Sequence, residues 1–375
     1  RMIMAGMHYK NEKPFSDVYF TGMVRDKQGR KMSKSLGNSP DLLELIDKYG
    51  ADATRFGIMI SSPAGNDLLF DEGALEQGRN FNNKLWNALK LVKMWEGRQS
   101  ESGEYNNPER NFAVDWFENR LNEARLEVDG LLKQFRLSEA LKTIYSLIWD
   151  DFCSWYLEWI KPGFEQPIEA LVYNRTVEFF EELMQLLHPF MPFITEEIFH
   201  LLKEQKDDLC IKQFTQLASA EHSILAKGGL LKKVISAIRD ARNKNQIKPK
   251  DTIQLYVETS FDDNYKPIEN ILAKQVNASL INYTTESVNN SIVVAIEKDK
   301  FFIETNKQID PEKIKEELLK DLEHQSDFLN SVLKKLSNER FVQNAKPEVI
   351  ALERKKQADA EARIKTIEES LANLE

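Results

Sequence analysis

Between residues 71 and 205 the apolar positions recur every three or four residues through five successive stretches, the period of helices that each bury one face. Helices are expected near 72–97, 113–134, 138–161, 168–187 and 192–205, broken by the polar loop Gly97 to Arg110, by Pro162-Gly163 and by Pro189. Short connections between five helices predict a bundle. Ahead of it, Phe15 to Val24 is rich in β-branched and aromatic residues and predicts a strand, and Asp26-Lys27-Gln28-Gly29 predicts a turn. Pro40-Asp41 then opens a helix with Leu42, Leu45, Ile46 and Tyr49 on one side before Gly50 ends it. Residues 1–70 therefore read as part of an α/β domain.

Behind the bundle, residues 225–306 alternate. A helix is expected over Leu230 to Asn245, a strand at Ile253, Leu255 and Val257, a helix over Ile268 to Ala278, and strands at Ile292 to Ile296 and Phe301 to Ile303. Together they predict a small α+β subdomain. In the last 65 residues or so, Leu318, Leu322, Gln325, Leu329, Val332 and Leu336 step by four and three, and Ile350, Glu353, Gln357, Ala360, Ile364, Ile367, Leu371 and Leu374 do likewise. Asn338 to Pro347 interrupts the pattern, which predicts an antiparallel coiled-coil hairpin.

The fold class is thus multidomain and mainly α. Boundaries are expected at 1–70, 71–224, 225–306 and 307–375. All six Trp, at 86, 95, 116, 149, 155 and 159, fall in the bundle and are expected to fill its core.

Composition narrows the class. Of 375 residues, 42% are hydrophobic and 30% charged, which excludes disordered and fibrous chains. Two cysteines, Cys153 and Cys210, cannot build a disulfide framework or a four-thiolate zinc site, so a reducing cytoplasmic setting and no metal are expected. No apolar run reaches the length of a membrane span, and no leader is read at the N-terminus. The chain opens on Arg1 and is read as a piece of a longer one.

A net charge of -9 argues against a uniformly basic nucleic-acid binder, but two local patches run the other way. Arg25, Lys27, Arg30, Lys31 and Lys34 face Asp26 alone, and Lys334, Lys335, Arg340, Lys346, Arg354, Lys355 and Lys356 face three glutamates. Arg239, Arg242, Lys244, Lys248 and Lys250 read either as RNA contacts or, preferably, as a solvated helix end.

The first patch carries the most specific string, Gly29-Arg30-Lys31-Met32-Ser33-Lys34-Ser35-Leu36-Gly37-Asn38. It sets two ammonium groups and two hydroxyls between glycines, in a loop between a strand and a helix, where backbone N–H groups and a helix N-terminus favour phosphate. Lys31-Met32-Ser33-Lys34-Ser35 resembles the KMSKS signature of class I aminoacyl-tRNA synthetases, with Val-Tyr-Phe-Thr-Gly ahead of it and Gly50-Ala51-Asp52-Ala53-Thr54-Arg55-Phe56 behind. Arg79 to Asn87 resembles the first anticodon-bundle helix of that family's valine, isoleucine and leucine branch, and His188 to Glu197 a late helix of the same bundle. The tail from Asn338 to Arg354 resembles the coiled-coil arm of the branch's valine-specific bacterial members.

The resemblance implies a partial Rossmann-type domain, an anticodon-binding bundle and a tRNA-binding arm. It also implies the C-terminal portion of a ligase that activates valine with ATP and Mg2+ and passes it to tRNA(Val), working as a monomer. The HIGH motif and editing domain of the family are missing, so the piece alone is expected to be inactive; His8 has no HIGH context and receives no role. Lys34 is implied as the catalytic group that steadies the phosphates, with Lys31, Met32, Ser33 and Ser35 forming the nucleotide loop around it. Asn80, Asn83, Asn87 and Leu91, with Lys84 and Lys90 beside them, share a helix face and are candidates to read anticodon bases or to form a polar seam. At the arm's tip, Lys334, Lys335, Arg340, Phe341, Lys346, Arg354, Lys355 and Lys356 are candidates for tRNA contact. A non-catalytic RNA-binding or structural helical protein that retains the loop stays open as the second class.

Overall fold

The computed structural model describes residues 1–100, 108–204, 206–260, 262–286, 288, 291–304, 311–338 and 347–372. It is mainly helical with small sheets and divides into two compact units, Arg1–Leu225 and Ala226–Glu375.

The first unit opens with α1 (Met2–Tyr9), none of whose residues is buried. The strand expected over Phe15 to Val24 shrinks to β1 (Val24–Arg25), which pairs in parallel with β2 (Leu68–Leu69). A strand exists only where a neighbour's backbone offers hydrogen bonds, and β2 offers two residues; Val18, Tyr19 and Phe20 stay exposed. The turn at Asp26 to Gly29 forms as expected, closed by the Gly29 N–H on the Asp26 carbonyl at 2.8 Å, with Gly29 at φ 76°. Next come α2 (Leu42–Tyr49), capped by the Asp41 carboxylate accepting from the Leu43 N–H at 2.7 Å, and α3 (Ala51–Ile60). Gly50, at φ 92°, makes the reversal between them.

The bundle follows: α4 (Glu72–Glu96), β3 (Gln99–Ser100), α5 (Pro108–Lys133), α6 (Leu137–Ser146), α7 (Leu157–Ile160), β4 (Ile168–Glu169), α8 (Ala170–Leu187) and α9 (Pro192–Leu202). The helix expected over 138–161 is real but not uniformly α. Between α6 and α7, residues Leu147–Tyr156 widen into a π-helix, with the Ser154 hydroxyl donating to the Trp149 carbonyl at 2.8 Å. The π turn places Phe152 and Tyr156 against Phe117, and Tyr156 and Phe117 against Phe179, with ring centroids 4.8 to 5.7 Å apart. Only Trp95, Trp116 and Trp159 are fully buried; Trp86, Trp149 and Trp155 are half-buried, so the expectation of a six-tryptophan core is corrected. α3 crosses α4 backbone to backbone: a Cβ on Gly78 would lie 2.7 Å from the Ala53 carbonyl oxygen and one on Gly57 would lie 2.7 Å from the Leu75 nitrogen. Glycine is required at both positions for that approach.

The second unit begins inside α10 (His222–Lys244), which buries Leu231, Val234, Ile235 and Ile238 on one stripe. β5 (Ile253–Glu258), α11 (Glu269–Val276), β6 (Ala278–Thr284), β7 (Ile292–Ile296) and β8 (Asp299–Glu304) build a sheet of order β6-β5-β8-β7. β5 and β6 run parallel through α11, while β8 is antiparallel to both β5 and β7. β6 is absent from the sequence pattern, where a helix was expected to reach Ala278. Asn277 ends that helix at Val276, two residues earlier, by entering the left-handed region at φ 52°, and its amide donates to the Lys250 and Asp251 carbonyls at 3.1 and 3.2 Å. Arg242 also departs from expectation: it is buried, neither solvated nor open to RNA. Its guanidinium donates to the carbonyls of Val276, Lys248 and Asp251, the last at 2.6 Å. Two 26-residue helices, α12 (Pro311–Leu336) and α13 (Pro347–Ala372), pack on each other with Val332, Ala360 and Ile367 buried.

Among the described residues no helix is long and apolar enough to cross a membrane.

Candidate nucleotide loop and tRNA interface

The lysine loop is a hairpin arm held from behind. The Met32 N–H donates to the Val24 carbonyl at 3.0 Å, and the Asp26 N–H to the Arg30 carbonyl at 2.9 Å. Asp26 is the anchor: its carboxylate accepts from the Gln28 and Arg30 N–H groups, from Arg30 Nε at 2.8 Å and from the Asn38 amide at 3.0 Å. These donors, Asn38 foremost, hold the Asp26 carboxyl well below the usual carboxylate range. Asn38 in turn receives the Ser33 N–H at 2.9 Å and donates to the Lys31 carbonyl at 3.2 Å. Asp26 and Asn38 thus tie both ends of the loop together, a role the sequence pattern did not assign to either.

On that frame Ser33 caps a single 3₁₀ turn, Lys34–Leu36, with its Oγ accepting from the Leu36 N–H at 3.3 Å and lying 3.2 Å from Ser35 Oγ. Met32 is half-buried. Lys31 and Lys34 are exposed, and among the described residues neither ammonium has a carboxylate partner. A cation held on a fixed loop without a counter-ion is suited to an anionic ligand. At the next helix, α2, the Leu43 N–H is taken by the Asp41 carboxylate at 2.7 Å.

Two elements quoted separately in the sequence meet in space. The Asp52 carboxylate, buried, accepts from the Phe193 N–H at 3.3 Å and the Ile194 N–H at 2.7 Å, the first turn of α9. Arg55 Nε donates to the Phe190 carbonyl and its Nη2 to the Pro189 carbonyl, both at 3.1 Å. α3 therefore grips the α8–α9 turn while its other side meets α4, which joins the loop-bearing segment to the bundle. Burial pushes the Asp52 carboxyl up, against the pull of the two backbone N–H donors.

On α4, Asn80, Asn83, Asn87 and Lys90 are exposed and Leu91 is half-buried, so the face they share is open. Lys84 is committed: its Nζ lies 5.3 Å from the Trp149 ring centroid. Beneath it the Cys153 thiol is buried and pushed up to about 12 by that burial, which leaves it unreactive.

In the helix pair, Lys334, Arg354 and Lys355 are exposed with no carboxylate partner among the described residues. Lys335 and Lys356 differ. Glu353, buried in the seam, holds Lys356 at 2.7 Å and Lys335 at 3.8 Å, and those two cations, Lys356 foremost, hold its carboxyl below the usual range. Arg340, Phe341 and Lys346 lie outside the described residues.

Three family models match the chain. Residues 1–71 match tRNA synthetases class I (I, L, M and V), residues 115–257 the anticodon-binding domain of tRNA ligase, and residues 310–375 the valyl tRNA synthetase tRNA binding arm. Proteins named valine–tRNA ligase align with the whole chain: those of Phocaeicola vulgatus at 47% identity, Parabacteroides distasonis at 44% and Porphyromonas gingivalis at 46%. The chain spans 42% of each of these relatives.

Proposed function

The chain belongs to the valine–tRNA ligase family of class I tRNA synthetases, matching a C-terminal part of its members, and from that premise we propose that it supplies the nucleotide loop and the tRNA-holding portion of an enzyme that joins valine to tRNA(Val). The observation that carries the reading is the pair of exposed ammonium groups, Lys31 and Lys34, on a loop latched by Asp26 and Asn38. In this reading ATP is the phosphate donor and Mg2+ its counter-ion. Lys34 follows the charge that develops on the departing pyrophosphate, Lys31 and the Ser33 and Ser35 hydroxyls hold the phosphates, and Met32 seats the loop. The exposed Lys31 and Lys34 ammonium groups, with no carboxylate partner among the described residues, fit that ligand.

The segments 1–70, 71–224, 225–306 and 307–375 act as catalytic-domain end, anticodon bundle, α+β subdomain and coiled-coil arm. The exposed face of Asn80, Asn83 and Asn87 offers amides to unstacked anticodon bases, and Lys334, Arg354 and Lys355 meet the tRNA backbone. The protein acts in the cytoplasm as a monomer. The test is tRNA binding by this chain in a salt series, using the valine acceptor and an unrelated tRNA. Preference for the valine acceptor, with log affinity falling linearly in log salt, supports the reading; equal affinity for both RNAs removes it.

A further inference from the structure

The strongest chemistry that the proposed function leaves unused lies on α9. Glu196 and His200 are one helical turn apart and project from the same face. The turn ahead of Leu209–Ile211 brings Asp208 to them: His200 Nε2 is 3.2 Å from Glu196 Oε1 and 3.4 Å from Asp208 Oδ1. Facing ligand atoms of the three residues all lie within 4.8 Å of one another. The Leu209 N–H, donating to Glu196 Oε1 at 2.6 Å, fixes the carboxylate.

His188 stands behind, with Nε2 3.8 Å from Glu196 Oε2. His188 Nδ1 lies 2.8 Å from the Thr195 hydroxyl, which donates to the Met191 carbonyl at 2.8 Å.

We propose that Glu196, His200 and Asp208 bind one divalent transition-metal ion of the zinc class. Nitrogen and oxygen ligands about 2.0–2.2 Å from such an ion lie roughly 3.3–3.6 Å from one another in a tetrahedral array, close to the two measured edges. Two carboxylates balance the ion's charge, and imidazoles favour zinc, cobalt or nickel over calcium and magnesium. Bound there, the ion ties α9 to the 206–211 turn.

Co2+ alone, added to the full chain and followed by its visible absorption, tests the site, with Zn2+ as competitor. One ion per chain is expected, with the intense spectrum of four- or five-coordinate cobalt, bleached by zinc. His200→Gln and Asp208→Asn weaken binding by about tenfold or more. Cys210→Ser leaves it unchanged, because that exposed thiol is not part of the cluster. No cobalt binding, wild-type affinity in His200→Gln, or loss of binding in Cys210→Ser would overturn the proposal. Thermal melts of each variant without metal separate lost ligation from lost fold.

Discussion

The Asp52 carboxylate receives the Ile194 N–H at 2.7 Å across 142 residues of sequence. A helix N-terminus carries unsatisfied N–H groups and a partial positive charge; here the cap for α9 comes from α3 and not from the residue ahead of the helix. One contact thereby fixes two helices that belong to different sequence motifs. Arg55, a turn further along α3, holds the carbonyl side of the same corner.

Asp52→Ala removes this cap, and a loss of about 1–2 kcal/mol is expected in the denaturant midpoint of the first unit. The pH dependence has a definite sign. Burial raises the native carboxyl above its ordinary value of 3.8, so the native state holds the proton more tightly than the unfolded chain. This group's contribution is therefore fullest below 3.8 and declines as pH climbs through the raised native value. Asp52→Asn is expected to flatten that decline; a stability profile parallel to wild type across the window rules out Asp52 as its source.

The loop latch makes the opposite prediction. Asp26 is depressed in the folded chain, mainly by the Asn38 amide, so its support is present above the ordinary carboxylate range and disappears as pH falls through the depressed value. Asn38→Ala is expected to raise the Asp26 value and to speed amide exchange over residues 30–38 while the bundle melts normally. Unchanged exchange in that segment would exclude the latch.

For the lysines of the loop, Lys34→Ala in the full-length enzyme is expected to slow adenylate formation by roughly 10² to 10³ with tRNA affinity nearly unchanged. Pyrophosphate exchange at the wild-type rate would exclude Lys34 from the chemistry.

Arg242 is a structural cation. Arg242→Met removes the donors to three carbonyls in a buried corner, and a cost of about 3 kcal/mol or more is expected for the second unit, since charged hydrogen bonds contribute about 1.5–3 kcal/mol each. RNA affinity measured under folding conditions should stay level. A drop in RNA affinity without a drop in stability contradicts the assignment.

Within the helix pair, the two neighbouring lysines separate charge from packing. Lys355→Glu, at an exposed position with no described carboxylate partner, is expected to lower the salt slope of tRNA binding by about 1 or more with little effect on melting. Lys356→Glu sets a second carboxylate beside buried Glu353 and is expected to loosen the α12–α13 seam, seen as earlier loss of helix signal. Identical salt slopes in wild type and Lys355→Glu exclude this position from the RNA contact.

Periodicity and punctuation alone located α2, α4, α8 and α9 to within a few residues, because Asp41, Gly50, Pro189 and the three-four spacing of apolar side chains act over one or two turns of chain. The lysine loop was legible for a similar reason, since its residue types are adjacent in sequence. The strand at Phe15 to Val24 was overcalled and β6 was missed because strand formation depends on a partner that the local pattern does not contain. The burial of Arg242 and the half-exposure of three tryptophans are likewise decided by what packs nearby. Only tertiary structure brought Asp52 to Ile194 and Asp208 to His200: a carboxylate or an imidazole takes its role from whichever donors and charges surround it, and the chain delivers those from far away.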